Sequence, residues 1–268
     1  MNQHLNQHPS KGTALITGAS SGIGATYAQR LAKRGYDLLL VARDQQRLEA
    51  LAETLNKETG VKVEVLKADL TNRTDLQVVE QRLRSDAAIS LLVNNAGVAI
   101  NGTLVEGDAA KVDTLIQLNI VALTHLSAAA AASFSAAGRG SIINLASVVA
   151  LIPEMFNAVY SASKAYVLSL TQTLHAEVAK QGVQVQAVLP GITRTEIWER
   201  SGMDAAALPP EMVMDVEEMV DAALAGFDQG ELVTIPSLPD VEDWQGLVTA
   251  RTKLGPNLSR NQAAARYK

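Results

Sequence analysis

A single α/β domain built on a parallel sheet, with helices on both faces, is the fold class that this sequence predicts. Three observations lead there. Short β-branched or leucine-rich runs alternate with helix-length patterns from Thr13 to about Pro236, the signature of a parallel sheet with helical crossovers. The strands read as continuous apolar runs, LLLVA and SIINLA among them, as strands covered on both faces do. No linker or shift in composition divides the 268 residues, and an apolar fraction of 47% is ample for one large core.

Taken in order, the apolar runs place strands at 13–18, 37–43, 61–68, 90–95, 140–146, 183–189 and 231–235. Helices fill 22–34, 44–58, 74–86, 108–137, 158–181 and 215–228. Asp44 stands where a helix N-cap is wanted before QQRLEALAE. The run VALTHLSAAAAASFSAA, Val121 to Ala137, has nearly the length of a membrane span, but Thr124, His125 and several serines interrupt it. Alanine adds little hydrophobicity and permits close packing, so a buried helix is the reading adopted. A long connection from Ile192, with Gly202, Pro209 and Pro210, has the length of a functional loop, and a substrate lid is placed near 192–214. After Pro236 the tail shows little pattern. The catalytic domain is taken as 12–268, preceded by a flexible polar leader at 1–11.

Composition narrows the function. A net charge of -5 argues against nucleic acid and against an anionic membrane surface, both of which call for a basic face. With no cysteine there is no disulfide, thiol catalysis or cysteine metal site. His4 and His8 read as part of the leader, and His125 and His175 as helix residues without a partner pattern, so no metal is expected. The leader carries no apolar core of signal-peptide length, and a cytoplasmic location is expected.

TGASSGIG, Thr17 to Gly24, puts three glycines where neither strand nor helix wants them. Its place between the first strand and the first helix is the context of a dinucleotide-binding fingerprint, although its spacing is G-x-x-x-G-x-G. Gly18 suits a tight turn, Gly22 a close backbone approach to a pyrophosphate, and Gly24 close packing of helix on strand. Amides at the helix start then face the phosphates. Tyr160 and Lys164, four apart, share a helix face. Reducing a carbonyl by hydride requires an acid for the developing alkoxide, and a tyrosine of pKa about 10 needs help at neutral pH. One ammonium about 4 Å away supplies a shift of the right size.

Further motifs fall in register with these: NNAG from Asn94 to Gly97 after the fourth strand, Ser147 after the fifth, YSASK from Tyr160 to Lys164, and PGITRT from Pro190. In order and spacing the set resembles the short-chain dehydrogenase/reductase family over about residues 12–236. The resemblance implies one extended Rossmann fold of seven parallel strands and an Asn119, Ser147, Tyr160, Lys164 tetrad. It makes Tyr160 the proton donor or acceptor. Lys164 holds the nicotinamide ribose and lowers the tyrosine pKa, and Ser147 hydrogen-bonds the substrate oxygen. For the cofactor it nominates Gly18, Ser20, Ser21, Gly22, Ile23, Gly24, Asp69, Leu70, Asn95, Ala96 and Gly97, together with Pro190, Gly191, Ile192, Thr193 and Thr195. No G-x-S-x-G surrounds Ser147, which speaks against a hydrolase.

An NAD-preferring site places a carboxylate about eighteen residues beyond the last glycine of the loop, to bind the ribose 2′-hydroxyl. Here that place is Ala42, followed by Arg43, whose guanidinium suits a 2′-phosphate, so NADP(H) is the expected cofactor. Val149, Ile152, Met155, Phe156, Trp198 and Met203 form a mostly apolar substrate wall beside Ser147 and Tyr160, suited to an apolar ketone or secondary alcohol. The expectation is an NADP(H)-dependent carbonyl reductase or alcohol dehydrogenase, a homodimer or homotetramer by resemblance. A catalytically silent dinucleotide-sensing regulator and a 3-oxoacyl reductase are the alternatives. Ala176 before Glu177, Gln186 in the sixth strand and the lack of a V-D-G-G ending depart from the acyl-carrier-protein reductases of the family.

Overall fold

The computed structural model describes residues 11–196 and 209–268. These fall into two compact units that meet in sequence at Pro236/Ser237. In the first, seven parallel strands form one sheet: β1 (Thr13–Thr17), β2 (Asp37–Ala42), β3 (Val63–Lys67), β4 (Ile89–Asn94), β5 (Gly140–Leu145), β6 (Val183–Val188) and β9 (Val233–Thr234). They lie in the order β3-β2-β1-β4-β5-β6-β9. The chain winds outward from β1 to β3, then returns to place β4 on the other flank of β1. That reversal makes the carboxyl ends of β1 and β4 the switch point at which ligands bind in such sheets.

Helices α1 (Gly22–Lys33), α2 (Gln45–Thr59) and α3 (Arg73–Ser85) follow the first three strands. Two apolar layers result. One packs Leu38, Leu40 and Val93 with Tyr27 and Leu31 of α1 and with Met219, Val220 and Leu224 of α7 (Val216–Asp228). The other packs Leu15, Leu39 and Leu92 with Val79 and Leu83 of α3 and with the alanines of α5 (Leu123–Ala137). Ala129 and Ala130 are wholly buried there. Residues Ala109–Ala137 are helical throughout and have the length and apolarity of a membrane span, but half of the most apolar window is buried inside the fold. On the α1 side, Arg30 joins Asp221 at 2.7 Å and Glu217 at 2.9 Å, tying α7 to α1.

Three features depart from the sequence expectation. The helix foreseen over 108–137 is interrupted: α4 (Ala109–Ile116) passes into a π-helical turn at Gln117–Ala122 before α5 begins. The wider turn leaves a backbone step in the middle of the helix, and such steps are frequent at functional sites. The long connection begins and ends in a ribbon, with β7 (Ile192–Thr193) pairing in parallel with β8 (Val213–Met214). Residues 197–208 of that lid region lie outside the described residues. In the second unit, helix α8 (Val241–Leu258) forms where no pattern was read, capped by Asp240, whose side chain accepts from Glu242 N–H at 2.9 Å. Gly246, Gly255 and Pro256 break its periodicity, which is why the sequence did not announce it.

Candidate active site

Thr17, the last residue of β1, organises the switch point. Its hydroxyl donates to Val93 O at 3.3 Å and accepts from the amides of Asn95 and Ala96 at 3.0 Å each. The Asn95 side chain donates back to Thr17 O at 2.9 Å and Gly18 O at 3.2 Å. The glycine loop and the NNAG segment are thus bolted to each other. Gly18 takes φ +65°, and a Cβ there would stand 2.8 Å from Asn95 Nδ2 and 2.9 Å from Ala96 Cα, so no other residue fits. A Cβ on Gly24 would run into the Gly18 carbonyl, which brings α1 close onto the loop.

In front of this loop opens a cavity of about 600 Å³, well within the range of cofactor sites. Its walls include Gly18, Ser20, Ser21, Gly22 and Ile23 from the loop, Asp69 and Leu70 after β3, and Asn95, Ala96 and Gly97 after β4. Gly22, with φ +53°, presents bare backbone there, and the Thr195 side chain lies 3.3 Å from where its Cβ would be. The cradle therefore fits a dinucleotide. Asp69 caps its own loop, accepting from the amide and hydroxyl of Thr71 at 3.0 and 2.7 Å. Burial pushes the Asp69 carboxyl up, but those two bonds and the Arg43 charge outweigh it and hold the group below its ordinary value. Arg43 is exposed at the rim of the cavity. Asp44 beside it accepts from Arg47 N–H at 3.0 Å as the N-cap of α2. Val98, Ala99, Thr114, Leu118 and Glu196 line the cavity without having been foreseen. Val98 and Ala99 simply continue the NNAG segment, and the spacing of Thr114 and Leu118, four apart and leading to Asn119, was the available signal.

The reactive side chains lie on α6 (Ala158–Val178), whose first turn is capped by Asn157 accepting from Val159 and Tyr160 amides. Tyr160 and Lys164 are both nearly buried, and the Lys164 Nζ lies 5.6 Å from the centre of the Tyr160 ring. The ammonium donates to Leu145 O at 2.8 Å. Ser147, just beyond β5, hydrogen-bonds the Tyr160 hydroxyl and reaches Pro190 O at 3.3 Å. Pro190 O also accepts from Val148 N–H at 3.0 Å, which joins the PGITRT segment to the serine loop. In that segment the Thr193 hydroxyl donates to Gly191 O and the Thr195 hydroxyl to Thr193 O. Asn119, in the π turn, grips Val98 from both sides: Oδ1 accepts from its N–H and Nδ2 donates to its O, each at 2.9 Å. It also donates to Ser163, whose hydroxyl donates to Tyr160 O. Asn119 thereby sets the backbone around the phenol and does not reach the phenol itself.

Tyr160 also belongs to an apolar cluster with Ala99 and Leu115, flanked by Val98, Ile100, Val149, Phe156 and Val159. The Phe156 ring meets Tyr160 edge-on at 5.3 Å. Of the foreseen wall, Val149 and Phe156 are here. Ile152 and Met155 are exposed, and Trp198 and Met203 lie outside the described residues. Electrostatically the pair departs from the sequence reading, which had Lys164 lowering the phenol pKa. Burial pushes Tyr160 up to about 12 against the pull of the Ser147 bond, and burial takes Lys164 down to about 8.

A phenol and an ammonium sharing one buried face, beside a dinucleotide-sized cleft whose Val98 and Ala99 also border the Tyr160 cluster, suit an oxidoreductase of the nicotinamide-using class. The family model described as short chain dehydrogenase matches residues 12–206, and the chain belongs to that family. A short-chain dehydrogenase from Sphingobium yanoikuyae, solved in complex with NADPH, is 54% identical with a TM-score of 0.93, covering 96% of this chain and 100% of that one. The bulky-bulky ketone specific alcohol dehydrogenase from Comamonas testosteroni is 50% identical with a TM-score of 0.88, covering 96% and 98%. The very-long-chain 3-oxoacyl-CoA reductase of Anas platyrhynchos is 31% identical over 69% of this chain and 60% of its own length.

Proposed function

We propose that the protein is an NADP(H)-dependent carbonyl reductase or alcohol dehydrogenase for bulky, apolar ketones and their alcohols. The observation that carries this reading is the Tyr160 hydroxyl, buried, bonded to Ser147 and faced by Val98, Ile100, Val149 and Phe156. The printed descriptions of the Sphingobium and Comamonas proteins, an NADPH complex and a bulky-ketone specificity, support it. Bound nicotinamide supplies the hydride in reduction and accepts it in oxidation.

Tyr160 gives its proton to the carbonyl oxygen as negative charge develops there, and takes it back in the reverse direction. Ser147 holds that oxygen by a hydrogen bond which strengthens as the charge grows. Lys164, fixed by Leu145 O, faces the phenol as a cation. A cation on that face favours the ionised phenol and so opposes the desolvation that burial imposes on it. Lys164 also serves the nicotinamide ribose, the Pro190–Thr195 segment the carboxamide, and Arg43 the adenosine 2′-phosphate, where a carboxylate at Ala42 is lacking.

The test is NADPH oxidation, followed by absorbance, with small and bulky apolar ketones. Bulky ketones are the better substrates, and Tyr160→Phe loses at least about a hundredfold in turnover while still binding NADPH. Near-normal turnover in that variant would remove the mechanism. The Anas relative favours one second reading, reduction of a 3-oxoacyl thioester. A thioester added to the panel separates the two, because the second reading has it outpace every simple ketone.

A further inference from the structure

Among the described residues the charged side chains lining the cavity are Arg43, Asp44, Asp69 and Glu196, three carboxylates against one guanidinium. Such a lining suits a ribose 2′-hydroxyl, which donates to carboxylates, better than a 2′-phosphate, which repels them. The chain corrects this from just outside. Arg47, one helical turn beyond Arg43 on α2, sends Nη1 to both oxygens of Glu196, at 3.1 and 3.0 Å, and its Nε stands 3.5 Å from Asp44 Oδ2. One guanidinium thus engages two of the three carboxylates.

We infer that Arg47 is a positioning residue that sets the preference for NADPH over NADH by neutralising the Asp44 and Glu196 carboxylates beside Arg43. The inference rests on the NADP(H) reading above and deepens it. Arg47 works through these two acids and need not touch the cofactor. Its loss removes a positive charge that balances these two acids beside a phosphate carrying close to two negative charges. Against NADH the same loss is nearly without consequence, since a hydroxyl accepts the neighbourhood of an acid.

The experiment is direct binding of NADPH and of NADH to the full chain, by fluorescence titration at low and high salt, with thermal melting as the control for folding. Arg47→Gln weakens NADPH by about fivefold, the range of an exposed charge pair, and leaves NADH within about twofold. The loss shrinks as salt screens the rim. Arg47→Lys keeps most of the preference, and Glu196→Gln restores NADPH affinity in the Arg47→Gln background. Should Arg47→Gln fold poorly, Arg47→Lys and Glu196→Gln alone carry the test, the latter by tightening NADPH selectively. Equal weakening of both cofactors would mean that the Arg47 to Glu196 pair is only a strap between α2 and the segment after β7, and would overturn the inference. So would no change in either. A wild type that binds NADH more tightly overturns the cofactor reading as well, whereas a wild type preferring NADPH with an Arg47-independent ratio sinks the inference alone.

Discussion

Tyr160 and Lys164 titrate in opposite directions from their ordinary values, and the two shifts act in separate windows of pH. Lys164, lowered from 10.5 to about 8, binds its proton less well folded than unfolded. Its neutral form favours the fold above 10.5, and that contribution is lost as pH falls through 8. Tyr160, raised from 10 to about 12, keeps its proton longer in the fold, so its contribution is present below pH 10 and is lost as pH rises to 12. The wild type therefore loses stability relative to Tyr160→Phe only above pH 10, by up to about 3 kcal/mol. Urea unfolding of both across that range checks it; parallel curves would show that the phenol is not held up. The positions of the pair could be read from a four-residue spacing on a helix. The sense of the phenol shift could not, because it depends on Val98, Ala99 and Phe156, which close over the ring from other parts of the chain.

Beneath the site, four buried side chains link four elements. Asn94 on β4 donates to Ser127 on α5 at 3.0 Å and to Asn144 on β5 at 2.9 Å, and Asn144 donates to Thr171 on α6 at 3.0 Å. All are nearly or wholly buried, so each lost partner leaves an amide or hydroxyl without compensation. Thr171→Val, close in shape, removes the acceptor for Asn144 Nδ2 and costs about 1–3 kcal/mol. Chemical denaturation measures this, and a change below about 0.5 kcal/mol would mean that the network is not holding α6 to the sheet. Elements of this kind divide sharply in how well the sequence discloses them. Strands β1, β2, β4 and β5 were legible as largely apolar runs, because a sheet covered on both faces demands them, whereas β6 alternates valine with Gln184 and Gln186. The π turn at Gln117–Ala122 was not, since QLNIVA differs from its α-helical neighbours in hydrogen-bond register and not in apolar content. Ribbon β7–β8 is too short for a periodic signal and owes its existence to the pairing of Ile192 with Val213 and Thr193 with Met214, 21 residues apart.

At the scale of the molecule, the sheet order brings the glycine loop, NNAG, the serine loop and PGITRT to one edge, which is why motifs spread over most of the chain converge. Family and cofactor class were legible at this edge because dinucleotide binding demands particular residues at particular strand ends. The cofactor rim was legible only in part, since Arg47 and Glu196 meet across 149 residues of sequence. The stretch from Asn95 to Ala99 has a further consequence. It is pinned by Thr17 at its start and by Asn119 at Val98, and Val98 and Ala99 face the large cavity and the Tyr160 cluster both. Those two residues border both spaces. A nucleotide resting on them stiffens the wall beside which a ketone is gripped, so the two should enter in a compulsory sequence, nucleotide first. In steady-state kinetics NADP⁺ would then compete with NADPH but inhibit noncompetitively against the ketone, and calorimetry would find little ketone uptake by the free protein. Ketone binding of equal strength with and without nucleotide would mean that the wall stands unaided and that either guest can arrive first.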